Sequence, residues 1–398
     1  MKILVLQDIL RSGGTERQSI LLTAAFAAAG HQATLLTFRP GGPLAPHGGM
    51  TSVSSGSNSS TGFPARVLQD ARAGKPVPLS ASLQPFDTGL DWFAPGLVRK
   101  ISRLSPDVIL CMGRMANCRA GGLQRKFPGI AVVATMRTGK PLSWLFRRSL
   151  RRARHVIANS REARDRLINQ EGIPHEKITV IANSLVFPSS DQTSVVAERA
   201  NVSSEARPET LRAHFNATPA TTILLSVAMF RPEKNQRELV EIVSGLPPGL
   251  DWQLWLAGDG PERAACEKLV ADRNLGARVK FPGFYADPRP LYLAADIAVH
   301  ASRSEALSNF LIEAQAHGLP AVAYDAQGIR ECFLPGNTGW PIAPGDRPGF
   351  VARLTQLIRA SPAEKAARAA AARAFAAAAF DPARQAAAYL ELFQRLLG

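Results

Sequence analysis

The apolar positions of this chain fall into short blocks separated by helical periods. Lys2 to Gln7 is a compact apolar run, followed by the glycine-bearing loop Arg11 to Arg17, a helix-like stretch from Gln18 to Ala29 stopped by Gly30, and a second apolar run from Ala33 to Phe38. Strands are predicted again at Val108 to Met112, Ala131 to Thr135 and His155 to Asn159. A second series begins with Ile223 to Ala228 and Gln253 to Ala257, and Gly258-Asp-Gly-Pro-Glu262 then opens a helix. Ile297 to Val299 is a short buried run. Ser308-Asn309 offers cap chemistry ahead of Phe310, Leu311 and Ile312, Gly318 and Pro320 stop that helix, and Ala321 to Tyr324 resumes as strand. After Asp346 the pattern is helical, through the alanine-rich Ala366 to Ala379, to a closing helix over Pro382 to Leu397. Strands alternating with helices predict an α/β protein with parallel sheets.

At 398 residues the chain is long for one core, and two domains are expected. The boundaries read as a first domain over 1–188, a linker over 189–221, a second domain over 222–378 and a C-terminal helix over 379–398. Pro40 to Pro95, rich in Gly, Ser and Pro around Ser52 to Thr61, carries weak periodicity and is expected to include a flexible surface excursion, and Phe187 to Thr221 is polar and irregular.

Composition narrows the class. Hydrophobic residues make up 46% and charged residues 20%, ordinary values for a folded globular protein. No apolar run reaches the ~18 residues of a membrane span, and Gln7 and Asp8 interrupt the N-terminal run before a signal core could form, which predicts a cytoplasmic protein. Four cysteines lack zinc-ligand spacing and disulfide density, so reduced core thiols are expected. The seven histidines form no HxxxH or HExxH pair and no Asp-x-Asp occurs, so no metal and no cofactor is expected.

Charge is unevenly placed. Residues 1–188 hold 25 Lys and Arg against 10 Asp and Glu, while residues 189–398 hold 22 of each, so the formal excess of +15 lies in the first half. Trp144 to Arg154 interleaves apolar and basic residues as a membrane-surface helix would, making an anionic membrane surface an expected partner of that half, peripheral at the inner face of the membrane. Nucleic acid would attract the same charge, but no nucleic-acid motif is present.

Candidate chemistry centres on Asp296 to Ala323. Glu305 and Glu313 stand eight residues apart around the predicted helix start, one before the helix and one in its second turn. Ligands of open α/β sheets bind beyond the carboxyl ends of strands, where a helix start offers N–H groups to a diphosphate. Two acceptor-only carboxylates beside that anion suit polyhydroxyl groups, as in a nucleotide sugar. Arg231 and Lys234 follow a predicted strand and could neutralise a departing diphosphate, each charge-assisted bond contributing roughly 1.5–3 kcal/mol. Gly13-Gly14 lacks the G-x-G-x-x-G pattern but suits a close backbone approach to a bulky ligand, with Thr15 capping the helix.

These residues together resemble the retaining glycosyltransferases of family 4, of the GT-B fold, in the branch that builds bacterial surface polysaccharides. Glu305-Ala-Leu-Ser-Asn-Phe-Leu-Ile-Glu313-Ala is similar to the family's double-glutamate element, Gly13-Gly-Thr-Glu-Arg17 to its G-G-x-E-R loop, and Val156-Ile-Ala-Asn-Ser160 to its V-x-A-x-S element. The resemblance implies two Rossmann-like parallel-sheet domains facing across a cleft, the first on the acceptor side and the second binding the nucleotide sugar. It implies that Glu313 binds ribose, Glu305 the donor sugar, the backbone of Leu307, Ser308 and Asn309 the diphosphate, the loop ending at Phe284 the base, and Lys234 the phosphates. The expected partners are a nucleotide-sugar donor and a lipid-linked or oligosaccharide acceptor.

The chain also departs from the pattern. Met229 stands where an Arg is usual, with Arg231 two residues on; Ala306 replaces a frequent Gly; Ala182 and Ser184 replace Pro and Gly; and Thr135-Met-Arg137 stands where a His is often found. The lack of that His fits a front-face mechanism in which the leaving phosphate takes the acceptor proton. Met229 and the basic half also admit a catalytically idle sugar-nucleotide-binding or membrane-docking subunit, and the same fold admits a sugar-nucleotide epimerase.

Overall fold

The computed structural model describes residues 1–11, 13–42, 44–45, 79–186 and 207–398. The chain forms two compact units, Met1–Val186 with Pro382–Gly398, and Phe187–Asp381. The predicted excursion around Ser52 to Thr61 and the first part of the predicted linker lie outside the described residues.

The first unit runs β1 (Lys2–Gln7), α1 (Gly14–Ala28), β2 (Gln32–Thr37), β3 (Leu79–Ser82), α2 (Leu97–Leu104), β4 (Val108–Cys111), α3 (Arg114–Lys126), β5 (Ala131–Met136), α4 (Trp144–Arg152), β6 (His155–Ala158), α5 (Arg161–Asn169) and β7 (Ile178–Val180). Its strands form a parallel sheet in the order β3-β2-β1-β4-β5-β6-β7. Strands covered on both faces by helices read as continuous apolar runs, and every residue of β4, β5 and β6 is buried. The C-terminal helix Pro382–Leu397 packs in this unit through Tyr389, Leu392 and Phe393, and the rings of Tyr389 and Phe393 meet Phe26 of α1.

The second unit runs α6 (Pro208–His214), β8 (Thr222–Val227), α7 (Gln236–Ser244), β9 (Trp252–Ala257), α8 (Arg263–Asp272), β10 (Val279–Gly283), α9 (Arg289–Ala294), β11 (Ile297–His300), α10 (Asn309–Ala316), β12 (Ala321–Tyr324), β13 (Gly339–Ile342), α11 (Arg347–Ile358) and α12 (Pro362–Ala379). Its sheet is parallel in the order β10-β9-β8-β11-β12-β13. The order reverses between β8 and β11, and a crevice forms at such a switch point beyond the carboxyl ends of the strands.

Two local readings are corrected. Residues 208–214, read as linker, are the helix α6, which opens with Pro208 at its first turn; Arg212 ties it down through the carbonyl of Ala294 at 2.7 Å. Helix α1 starts at Gly14 rather than Gln18. Its cap residue is Gly13, in extended conformation and without a side-chain cap bond, so Thr15 lies inside the first turn and its carbonyl accepts from Ser19 Oγ. The four cysteines are buried free thiols, and no helix among the described residues is long and apolar enough to cross a membrane.

Candidate functional site

β8 and β11 lie side by side, with Leu224 opposite Ile297 and Leu225 opposite Ala298. Each delivers a segment to the same end of the sheet. After β8 the chain makes the tight turn Pro232–Lys234 and passes through Asn235 in the left-handed region (φ 55°), a conformation Asn tolerates better than most residues. This turn is sewn to the segment after β11: Ser302 Oγ donates to the Glu233 carbonyl at 3.0 Å, Arg303 N to the same carbonyl at 2.9 Å, and Asn235 Nδ2 to the Ala301 carbonyl at 3.3 Å.

That stitching brings two residues 71 positions apart into contact. Lys234 Nζ donates to Glu305 Oε1 at 2.5 Å, and His300 Nε2, at the last position of β11, lies 2.8 Å from the same oxygen. Glu305 is buried, while the Lys234 side chain keeps 26% of its exposure. Burial alone would raise the Glu305 carboxyl. The Lys234 charge and the His300 hydrogen bond more than offset it and hold the group well below the usual carboxylate range. His300 was hidden from sequence reasoning because it sits inside an apolar strand pattern.

The Leu307, Ser308 and Asn309 segment leads into α10, where Ser308 Oγ accepts from Leu311 N at 3.4 Å as the cap. Gly328 backs this loop. It has φ 74°, and a Cβ there would lie 1.8 Å from the Ala306 carbonyl oxygen, so no side chain fits. One turn into α10, Glu313 is buried and its Oε2 accepts from Tyr292 Oη at 2.8 Å; Tyr292 in turn stacks on Phe310 and His317. Neither Gly328 nor Tyr292 was singled out from the sequence.

The other candidates fall nearby or elsewhere. Phe284 directly follows β10 and exposes 49% of its surface. Gly258 and Gly260 let the loop after β9 press on the β8 exit, since a Cβ at either would meet the carbonyl of Ala228 or Phe230 within 2.5 Å. The Arg231 side chain makes no hydrogen bond or ion pair among the described residues; it lines a separate polar cavity of about 280 Å³ with Arg237, Glu238, Glu241, Glu262 and Arg347. The structure therefore does not bring Arg231 onto Glu305. Met229 is half-buried at the β8 exit.

In the first unit, Gly13 caps α1, and the space a Cβ would take is filled by Glu16 Oε2, 2.4 Å from that position. Asp8, just past β1, accepts from Met115 N and Ala116 N at 2.9 Å and so holds the start of α3; burial raises its pKa against those bonds. Arg137 follows β5 and donates to Asn183 Oδ1 at 2.6 Å. The basic helix α4 is capped by Ser143 and exposes Trp144 (69%) and Leu145 (47%), with the Arg148 guanidinium 5.1 Å from the Trp144 ring centroid. Among the described residues no group of three His, Cys, Asp or Glu side chains could hold a metal ion.

Comparison with known proteins places both halves. The family model described as Glycosyltransferase Family 4 matches residues 12–185, and that described as Glycosyl transferases group 1 matches residues 209–374. The lipopolysaccharide core biosynthesis glycosyltransferase LpsE of Rhizobium meliloti is 35% identical over 142 residues, 35% of this chain and 41% of that protein. The alpha-D-kanosaminyltransferase of Streptomyces kanamyceticus is 30% identical over 219 residues, 54% of each chain. The matches thus span about half or less of these curated relatives. Among solved structures, HepE of Anabaena in complex with UDP-glucose superposes with TM-score 0.75 at 22% identity, covering 99% of this chain and 100% of that one. WaaG, a glycosyltransferase involved in lipopolysaccharide biosynthesis, gives 0.69 at 16% identity over 98% and 99%. Two parallel Rossmann-like sheets of this kind are the GT-B fold.

Proposed function

We propose that this chain, which belongs to glycosyltransferase family 4, moves a sugar from a nucleotide-diphosphate donor to a lipid-linked or polysaccharide acceptor, with retention at the anomeric carbon and without a metal ion. The observation that carries this reading is the Lys234–Glu305 contact beside the start of α10, a cation and a carboxylate at the switch point of the second sheet. Lys234 and the backbone of Leu307, Ser308 and Asn309 would take the diphosphate, Glu305 the donor sugar, Glu313 the ribose and Phe284 the base. Gly13 and Gly14 would allow a close backbone approach on the first unit. The bond from the anomeric carbon to the phosphate oxygen breaks, a bond to the acceptor oxygen forms, and the acceptor hydroxyl proton passes to the leaving phosphate. A preorganised cation and helix N–H groups stabilise charge where it develops on that phosphate.

A surface-polysaccharide acceptor is supported by the likeness to LpsE, a lipopolysaccharide core enzyme, and to the putative EpsD of Bacillus subtilis. For such an acceptor, α4 would seat a cytoplasmic enzyme on the anionic inner face of the membrane. The deciding experiment screens nucleotide sugars by thermal shift and then follows transfer by the wild type and by E305A. Transfer by the wild type that survives chelation and is abolished in E305A, with the fold unchanged, is expected; full turnover by E305A overturns the reading.

One observation favours a second reading. Met229 removes the usual Arg, and Arg231 does not reach Glu305, as in a subunit that binds donor without turning it over. That subunit would bind the donor and form no product with the true acceptor.

A further inference from the structure

Glu305 Oε1 receives two donors of different character. Lys234 carries a point charge on a flexible stem, reaching in from a turn and partly open to solvent. His300 is fixed at the end of a buried strand, its side chain 2% exposed and its ring 5.7 Å from that of Phe310. An ionised carboxylate only accepts hydrogen bonds, so the imidazole presents Nε2–H to it, 2.8 Å away. No protein partner for Nδ1 is found among the described residues.

The two donors respond differently to a ligand. A diphosphate competes for the Lys234 ammonium, because phosphate oxygens carry more charge than a carboxylate already shared between two donors. Once Lys234 turns away, Glu305 is a buried carboxylate, and a buried carboxylate without a partner is costly to keep charged. His300 cannot follow Lys234, because the strand and Phe310 fix its ring.

We propose that His300 is a positioning residue for Glu305: its Nε2–H keeps the carboxylate ionised and aimed at the donor sugar while Lys234 is handed over to the diphosphate. His300 thereby separates two tasks that the unliganded contact assigns to one oxygen. This rests on the glycosyltransferase reading above. It also predicts an order, with Glu305 set before the phosphates arrive.

The test uses the full chain with H300L, which keeps apolar bulk, and H300Q, which keeps an N–H donor. With the donor used by the wild type, H300L should lose about tenfold or more in kcat, as expected for removing a hydrogen bond to a charged group. Its affinity for the sugar-free nucleoside diphosphate should stay within about twofold, because Lys234 and α10 are untouched. H300Q should recover most of kcat, and the acid limb of the kcat–pH profile should move upward in H300L as Glu305 loses a donor favouring its charge. Wild-type kcat and acid limb in H300L overturn the proposal. So does an H300Q as impaired as H300L with an equally lowered Tm, which would mark a packing role beside Phe310. If the wild type transfers no sugar, the parent reading fails separately and the imidazole ¹⁵N shifts decide: an Nε2–H tautomer that is lost in E305A supports the contact, and an Nδ1–H tautomer in the wild type overturns it.

Discussion

The phenol of Tyr292, on α9, donates to Glu313 Oε2 at 2.8 Å and fixes one carboxylate oxygen from beneath helix α10. A carboxylate proposed to hold a ribose gains from being oriented before the ligand arrives, because its side-chain freedom is then already restricted. Y292F removes the bond and keeps the ring stacked on His317. Donor affinity should fall by about tenfold, the scale of one hydrogen bond to a charged acceptor, and Tm should fall by a few degrees because the buried Glu313 oxygen loses that donor. Calorimetry with the nucleoside diphosphate measures this, and an unaltered Kd would remove Tyr292 from the site.

Gly328 makes a sharper structural prediction. A Cβ would sit 1.8 Å from the Ala306 oxygen, so G328A must displace the loop carrying Leu307 and Ser308. Gly336 has a similar φ of 80° but open space around its Cβ position, so G336A isolates the backbone strain alone. G336A is expected to cost about 1 kcal/mol, whereas G328A should cost more than about 2 kcal/mol and lose donor binding. Equal melting shifts for the two variants would contradict the assigned role of the Ala306 contact.

Much of this site was legible in the sequence, and the missing part has a common cause. Ser308 as cap, Gly318 as stop and the placement of both glutamates around α10 are local signals, written within about one helix length. Tyr292, Gly328 and His300 are not legible that way. Tyr292 reaches Glu313 from the preceding helix, Gly328 meets Ala306 from beyond the next strand, and His300 looks like one more residue of an apolar strand. Parallel pairing made the alternating elements readable. The seven-residue α6 escaped because its pattern is too short to separate from a polar loop.

Arg231 and Lys234, three residues apart in one turn, should behave differently. Lys234 touches Glu305 and Arg231 lines another cavity, so K234A should lower turnover by about a hundredfold or more and R231A by less than about threefold. Steady-state kinetics of the two variants decide it. Comparable losses would mean that the ligand draws Arg231 into the site.

Burial sets a pH dependence of stability. The His317 imidazole is pushed down to about 4 by burial, against the bond from Nδ1 to the Glu313 carbonyl, and His155 to about 4 by burial and the charges of Arg395 and Lys177. Both titrate near 6.5 when unfolded, so below that pH the unfolded chain binds protons that the folded chain refuses. The stability these groups contribute is complete above pH 6.5 and is lost progressively as pH falls toward 4. His317, the more buried, should account for a loss on the order of 3 kcal/mol across that window. Denaturant midpoints at pH 7 and pH 5 measure it, and H317N should flatten the dependence; an unchanged slope would mean that His317 is protonated in the fold.

Helix α4 offers the last prediction. Trp144 and Leu145 project from a helix whose last turn carries Arg151 and Arg152, so an apolar wedge is joined to positive charge, the combination that binds an anionic bilayer surface. Two of the helix's arginines are already engaged at Glu171: Arg147 pairs with its carboxylate at 3.2 Å and Arg151 donates to its backbone carbonyl, which leaves Arg148 and Arg152 as the charges best placed for lipid headgroups. Binding to vesicles containing anionic phospholipid should therefore weaken with salt, because surface charge is screened within about 10 Å at 0.1 M ionic strength. W144A/L145A should weaken it at every salt concentration, and R148E/R152E should remove mainly the salt-dependent part. Vesicle co-sedimentation separates the two contributions, and wild-type binding by both double variants would assign the membrane contact to another surface.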